Sequence, residues 1–212
     1  MARHGNGILG SFSGKVGTVV GSSWNGIPYM RSLPARKKNR RFSEAQKIQQ
    51  AKFAVVTKFL KPFNPLFGLS FEQQPGMTRK NQAYRQLFTQ ALSGQYPDFT
   101  VALSQLEVAR GSLKKADNPA VSAPGAGKLK FTWKDNSGLG NAAKGDKAIL
   151  VAYCPESQHA LFTVNGGDRA GETGELDLAY FSGKEVHTWV SFRSADGLRT
   201  ADSIYTGMLR VI

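Results

Sequence analysis

The chain has 212 residues, 41% of them apolar, and carries 28 Lys and Arg against 15 Asp and Glu, a formal net charge of +13. This length holds one large domain or two small ones around a real core. No apolar run approaches the roughly 20 residues a membrane helix needs, and the opening Met1-Ala-Arg-His lacks the apolar stretch of a secretory signal.

The single cysteine, Cys154, excludes an internal disulfide, so the fold needs no oxidising compartment. The expected location is the cytoplasm or a particle assembled there. The charge is uneven. Residues 1–92 hold 15 Lys and Arg against two acids, Glu44 and Glu72, whereas residues 93–212 hold 13 of each sign. A basic half joined to a neutral half points to an anionic partner for the first, or to a plain solubilising surface.

In chain order, residues 7–33 read as extended chain punctuated by Gly7, Gly10, Gly14, Gly17 and Gly21. The spacing would also suit a small-residue helix stripe, but Ser11, Ser13, Lys15 and Thr18 intervene and every glycine weakens a helix. Lys15 to Trp24 is rich in β-branched residues, and Asn25-Gly26 is a hairpin turn that returns Ile27 to Arg31 beside it. Pro28 then belongs at a sheet edge. The glycines either let this arm approach another chain closely or make ordinary turns and bulges. They form no phosphate loop: Gly10-Ser-Phe-Ser-Gly14-Lys15-Val16 has the wrong spacing and lacks the Ser or Thr after Lys.

Arg31, Arg36, Lys37, Lys38, Arg40 and Arg41 follow, six fixed positive charges in eleven residues with no acid among them. Ser43-Glu-Ala-Gln46 is a capping box and starts a helix expected over residues 44–60, stopped by Pro62. Ile48, Phe53, Val56 and Leu60 form its apolar side; Lys47, Lys58 and Lys61 lie on the other, extending the cationic surface or merely facing solvent. Pro62 to Gly68 reads as a turn-rich connection. A second helix, roughly 79–93, carries Tyr84, Leu87, Phe88, Ala91 and Leu92 as a one-sided core stripe, with Gly94 as its stop.

From Tyr96 the pattern changes to short strands, expected near 98–109, 128–134, 147–154, 159–164, 174–180, 185–193 and 202–211, separated by turns rich in Gly, Asn and Asp. Residues 118–127 read as a loop. The expected fold is mainly β with an α-helical insert: a Gly-rich arm and two helices over residues 1–94, then a seven-stranded immunoglobulin- or fibronectin III-like sandwich over 95–212. Trp133 is its expected inter-sheet core residue.

No catalytic constellation is visible. His4, His159 and His187 lack ligand spacing, no Gly-x-Ser-x-Gly elbow exists, and a Cys154–His159 pair across a hairpin is the sole nucleophile arrangement on offer. Asp135, Asn136, Asn165 and Asp168 can line one end of the sandwich as a calcium site, although turn chemistry accounts for them without an ion. No enzyme, cofactor or metal is expected.

Binding remains, and two partners are open. Gly7, Gly10, Gly14, Gly17, Gly21, Trp24 and Tyr29 form an arm that can contact a copy of the chain, adding a strand to a sheet edge. Arg31, Arg36, Lys37, Lys38, Arg40, Arg41, Lys47, Lys58 and Lys61 can neutralise phosphates while Trp24, Tyr29 and Phe42 offer stacking faces, or can dock on an acidic protein surface.

The order Gly7-Ile-Leu-Gly-Ser-Phe-Ser-Gly-Lys-Val-Gly-Thr-Val-Val-Gly-Ser-Ser-Trp24, Tyr29-Met-Arg-Ser32 and Arg41-Phe-Ser-Glu-Ala-Gln46 resembles an uncharacterised family of similar length from Bacteroidota. Gly94-Gln-Tyr-Pro-Asp-Phe99, Phe131-Thr-Trp-Lys-Asp-Asn-Ser-Gly138 and Asp146-Lys-Ala-Ile-Leu-Val151 extend that resemblance over nearly the whole chain. It implies no activity or site residues. Asn39-Arg-Arg-Phe-Ser43 departs from the Asn-Pro-Arg-Thr turn expected in relatives. The N-terminal Gly/Trp/Arg pattern is also similar, at lower specificity, to virion structural proteins. The expected function is a self-assembling structural subunit, with nucleic-acid binding as the alternative.

Overall fold

The computed structural model describes residues 3–4, 10–24, 26–34, 41–125 and 127–212, and the chain divides into two units between Ser43 and Glu44. The first is an antiparallel meander of β1 (Arg3–His4), β2 (Phe12–Val16), β3 (Val19–Trp24) and β4 (Ile27–Ser32), in that spatial order. The β3–β4 hairpin is the expected one, and Pro28 sits on the edge strand. A second reversal had not been anticipated: Lys15 and Val16 belong to β2, and the chain turns at Gly17-Thr18. Gly17 has φ 57° there and Gly26 φ 82° in the later turn, conformations open to glycine at no steric cost.

The second unit opens with α1 (Glu44–Leu60), matching the expected span and starting directly after Ser43. Pro62 does not break it into a loop. A 3-10 turn (Lys61–Phe63) and α2 (Asn64–Ser70) follow, each with a proline in its first positions, where a missing N–H removes no helical bond. Phe63, Leu66 and Phe67 on these turns are buried. Next comes α3 (Arg79–Gln86), whose cap residue Thr78 accepts from the Asn81 amide at 3.2 Å.

The expected second helix does not reach Ser93. A π-helical turn (Leu87–Ala91) ends it, and Leu92–Gln95 departs as β5, paired with β6 (Asp98–Val101). The strand expected to run to residue 109 stops at Val101, because Ala102 turns back to donate to the Ala91 carbonyl at 2.7 Å and a 3-10 turn (Leu103–Gln105) follows.

Seven strands complete the chain: β7 (Asp117–Gly125), β8 (Lys128–Lys134), β9 (Lys147–Cys154), β10 (His159–Thr163), β11 (Thr173–Asp177), β12 (Glu185–Arg193) and β13 (Ile204–Arg210). They form a three-stranded sheet, β11-β8-β7, and a four-stranded sheet, β10-β9-β12-β13, every pair antiparallel. This is the expected sandwich of the fibronectin III kind. Residues 118–127 correct the reading of a loop: most of them are β7. Pro119 and Pro124 are tolerated because β7 is an edge strand whose register shifts at 117/120 and 122/125, beside both prolines. The strand expected to reach residue 180 ends at Asp177, where a 3-10 turn (Ala179–Phe181) begins.

Two hydrophobic clusters hold this unit together. One lies between the sheets and includes Leu129, Phe131, Trp133, Leu150, Val190 and Phe192, with Trp133 edge-on to Phe192 at 5.3 Å as an inter-sheet residue. The other joins the helices to the outer face of the four-stranded sheet through Val56, Leu60, Phe63, Phe67, Leu87, Ile149, Val151 and Trp189. Strand β9 supplies both: Ala148, Leu150, Ala152 and Cys154 face inward, Ile149, Val151 and Tyr153 the helices. The helices therefore share a core with the sandwich. The sequence divided the chain at 94/95; the contacts divide it at 43/44.

Candidate assembly and polyanion surface

Directly paired residues of antiparallel strands project to the same side of a sheet, and successive residues alternate. In the N-terminal meander this rule sorts the side chains sharply. Lys15, Val20 and Arg31 form one row, Ser22 and Tyr29 the next, Trp24 and Ile27 the last, all on one face. The other face carries Val16, Val19 and Ser32, then Gly14, Gly21 and Met30, then Ser23 and Pro28. Every strand-borne charge of β2, β3 and β4 lies on the first face. The second is uncharged.

Gly21 has a specific role on the uncharged face. A Cβ there would stand 2.6 Å from the Phe12 ring and 2.3 Å from the Phe12 carbonyl oxygen, so only glycine admits Phe12 at this distance. Among the described residues from 10 to 43, Gly21 alone is buried. Trp24 is 50% exposed, Met30 70%, and Val16, Val19, Ile27 and Tyr29 are exposed as well. Among the described residues the meander has apolar side chains on both faces and no core of its own.

The residues expected to form the site are thus partly gathered. Gly14, Gly17, Gly21, Trp24, Tyr29 and Arg31 belong to the meander and Gly10 leads into it, while Arg41 is exposed ahead of α1. Gly7, Arg36, Lys37, Lys38 and Arg40 lie outside the described residues. Lys47, Lys58 and Lys61 are exposed but belong to the second unit. The Lys47 amine meets the Glu44 carboxylate at 2.7 Å, and that hydrogen bond and charge raise its pKa.

The second unit uses its polar residues for structure. Arg169 is wholly buried at one end of the sandwich, donating to Asp146 at 3.0 Å, to the Asn136 side-chain oxygen at 2.5 Å and to the Lys114 carbonyl at 3.0 Å. Its guanidinium lies 3.9 Å from the Phe192 ring centre. Burial lowers its pKa and Asp146 opposes that shift. Three of the four suspected calcium ligands are engaged: Asn136 with Arg169, Asp135 with the Ser137 amide at 2.9 Å, Asp168 with Lys147. Hydrogen bonds from Ser137 hold the Asp135 carboxyl below its ordinary range. Among the described residues no cluster of three or more His, Cys, Asp or Glu is placed to hold a metal ion.

Cys154 and His159 are cross-strand partners, but the thiol is buried in the inter-sheet core while His159 is exposed and contacts the Ser157 carbonyl at 2.6 Å. That environment suits an inert packing cysteine. His187 pairs with the Tyr205 hydroxyl at 2.7 Å; burial lowers its pKa, against the pull of Glu185.

Two structural anchors, Arg169 and Glu72, were not foreseen from the sequence. One Glu72 oxygen accepts from the Ser112 amide, the Ser112 hydroxyl and the Thr200 amide, each at 2.9 Å, and so ties the end of α2 to two loops of the sandwich. A polar cleft of about 340 Å³ lies beside α3, lined by Gln82, Arg85, Gln86, Gln90 and Arg110 among others. Gln86 donates to Gln90 and to the Gln105 carbonyl at its wall, both at 3.0 Å. Among the described residues no helix is long and apolar enough to cross a membrane.

No curated protein matches the chain. Among solved structures, the fn3 domain of human collagen alpha-1(XX) matches at 14% identity, over 46% of this chain and 84% of that one, with a TM-score of 0.32. The sandwich assignment above rests on strand order and pairing instead. One family profile spans strands β2 to β4 of the meander, the helices and nearly all of the sandwich, matching residues 11–207: the chain belongs to the Family of unknown function (DUF6266).

Proposed function

We propose that the protein is a non-enzymatic structural subunit that assembles with copies of itself through the N-terminal arm, Gly7 to Met30, into a filament or particle. The observation that carries this reading is the meander's missing core: of its described residues only Gly21 is buried, although the sheet holds Phe12, Val16, Val19, Trp24, Ile27, Tyr29 and Met30. A sheet with apolar side chains must bury them against another element. The uncharged face, with Val16, Val19, Met30, Pro28 and Phe12 over Gly21, can meet the same face of a second copy without bringing like charges together. Such self-complementary contact is the usual form of a twofold interface.

The test is light scattering on the purified full chain, with negative-stain microscopy of the same fractions, for wild type and for Val19→Ser combined with Met30→Ser. Assemblies in wild type that fall to monomers in the variant, with the unfolding of residues 44–212 unchanged, are expected. A wild type that stays monomeric at all concentrations reached sinks the proposal.

A further inference from the structure

The opposite face of the same meander has a different composition, and we infer that it is a stacking platform for single-stranded nucleic acid. The inference uses the face opposite the one offered to a second copy and stands whether or not the chain assembles. Register places Lys15 and Arg31 in one row, Tyr29 in the next and Trp24 in the last, all on one side of the sheet. All four are exposed, Tyr29 by 43% and Trp24 by 50%. Residues 1–43 contain eight Lys and Arg and no Asp or Glu, so no acid of this segment competes for the cations.

Spacing selects the ligand. Tyr29 lies opposite Ser22, and Trp24 is two residues further along β3. Such diagonal neighbours stand about 7–8 Å apart, roughly twice the 3.4 Å base step of duplex DNA. Stacked bases of a duplex cannot occupy both rings, whereas an extended strand can lay one base on each. The row holding Lys15 and Arg31 follows Tyr29 along β4 and would meet the phosphates of the adjoining nucleotides. Aromatic side chains on a sheet with cations along one border are a general means of holding single strands with little sequence preference.

The experiment is fluorescence anisotropy of fluorescein-labelled oligo(dT) titrated with the full chain at several salt concentrations. Wild type should bind with an affinity that falls steeply with salt, and binding should quench tryptophan emission, because Trp24 is exposed while Trp133 and Trp189 are buried. Trp24→Ala and Tyr29→Ala should each weaken binding about tenfold while leaving the salt slope nearly intact. Lys15→Gln and Arg31→Gln should each lower the slope by about one.

Val19→Ser combined with Met30→Ser, on the other face, should leave the affinity per chain unchanged, which separates this inference from the assembly reading. Ultraviolet cross-linking of oligo(dT) to the wild type, mapped by mass spectrometry, should mark Trp24 or Tyr29 without any substitution. Three results would overturn the inference: wild-type affinity in Trp24→Ala and Tyr29→Ala, equal affinity for duplex, or equal competition by poly-glutamate. The last would assign the face to an acidic protein surface.

Discussion

Strands β3 and β9 are both short and paired on both sides, yet one of six residues is buried in β3 and seven of eight in β9. The difference lies outside the strands. β9 has the three-stranded sheet against one face and the helices against the other, whereas β3 sits in a sheet most of whose apolar side chains remain exposed. Strand chemistry specifies pairing; burial requires a second layer, and the second unit supplies two. The buried apolar area thereby gained is the main favourable term in its folding.

Substitutions can put this contrast under strain. Trp189 is fully buried, donates to the Leu106 carbonyl at 3.0 Å and stands edge-on to Phe63. Trp189→Ala should destabilise the second unit by about 3–5 kcal/mol in denaturant melts. Arg169→Met should follow at about 3 kcal/mol, since it strands the buried Asp146 carboxylate, and adding Asp146→Asn should recover part of the loss. Glu72→Gln, which keeps the acceptor but removes its charge, should cost about 1–2 kcal/mol and loosen the tie between α2 and the loops at Ser112 and Thr200.

The His187 prediction is smaller and depends on pH. Because burial lowers its folded pKa below 6.5, the neutral ring's contribution is full above that value and is lost as pH falls through 6.5 toward the lowered folded value. His187→Gln should flatten the decline of melting temperature with acid in that window. At the other end of the scale, Trp24→Ala should shift the melt of the second unit by no more than about 0.5 kcal/mol. A large loss there would mean that the meander contributes to the core after all.

Much of the fold could be read in advance, for reasons that can be named. α1 was legible because a capping box precedes a helical run free of Gly and Pro, and β8, β9 and β12 because each is a short alternating or continuous apolar run bounded by turns. β7 was missed because Asn118-Pro-Ala-Val-Ser-Ala-Pro carries two prolines and little bulk; its edge position and register shifts, which a single strand's sequence does not encode, make those prolines tolerable. α2 was missed because Pro62 and Pro65 read as breakers, although at helix starts they remove no bond. The arm's glycines and aromatics were legible as a group. Their sorting onto two faces required the register, and the turn at Gly17-Thr18 hid the second hairpin. Arg169 and Glu72 gave no signal at all, because a buried or half-buried charge is made acceptable by partners that arrive from 23 to 128 residues away.

The two-sided burial of β9 leaves that strand without an outside. In β8 the exposed positions Lys128, Lys130 and Lys134 alternate with the buried Leu129, Phe131 and Trp133, so about half of its letters are free to drift. From Ala148 to Cys154 no position has that freedom: a charge introduced anywhere enters one core or the other. Tolerance to substitution, mapped across the chain, should therefore rise and fall with every second residue in β8 and show an unbroken trough in β9.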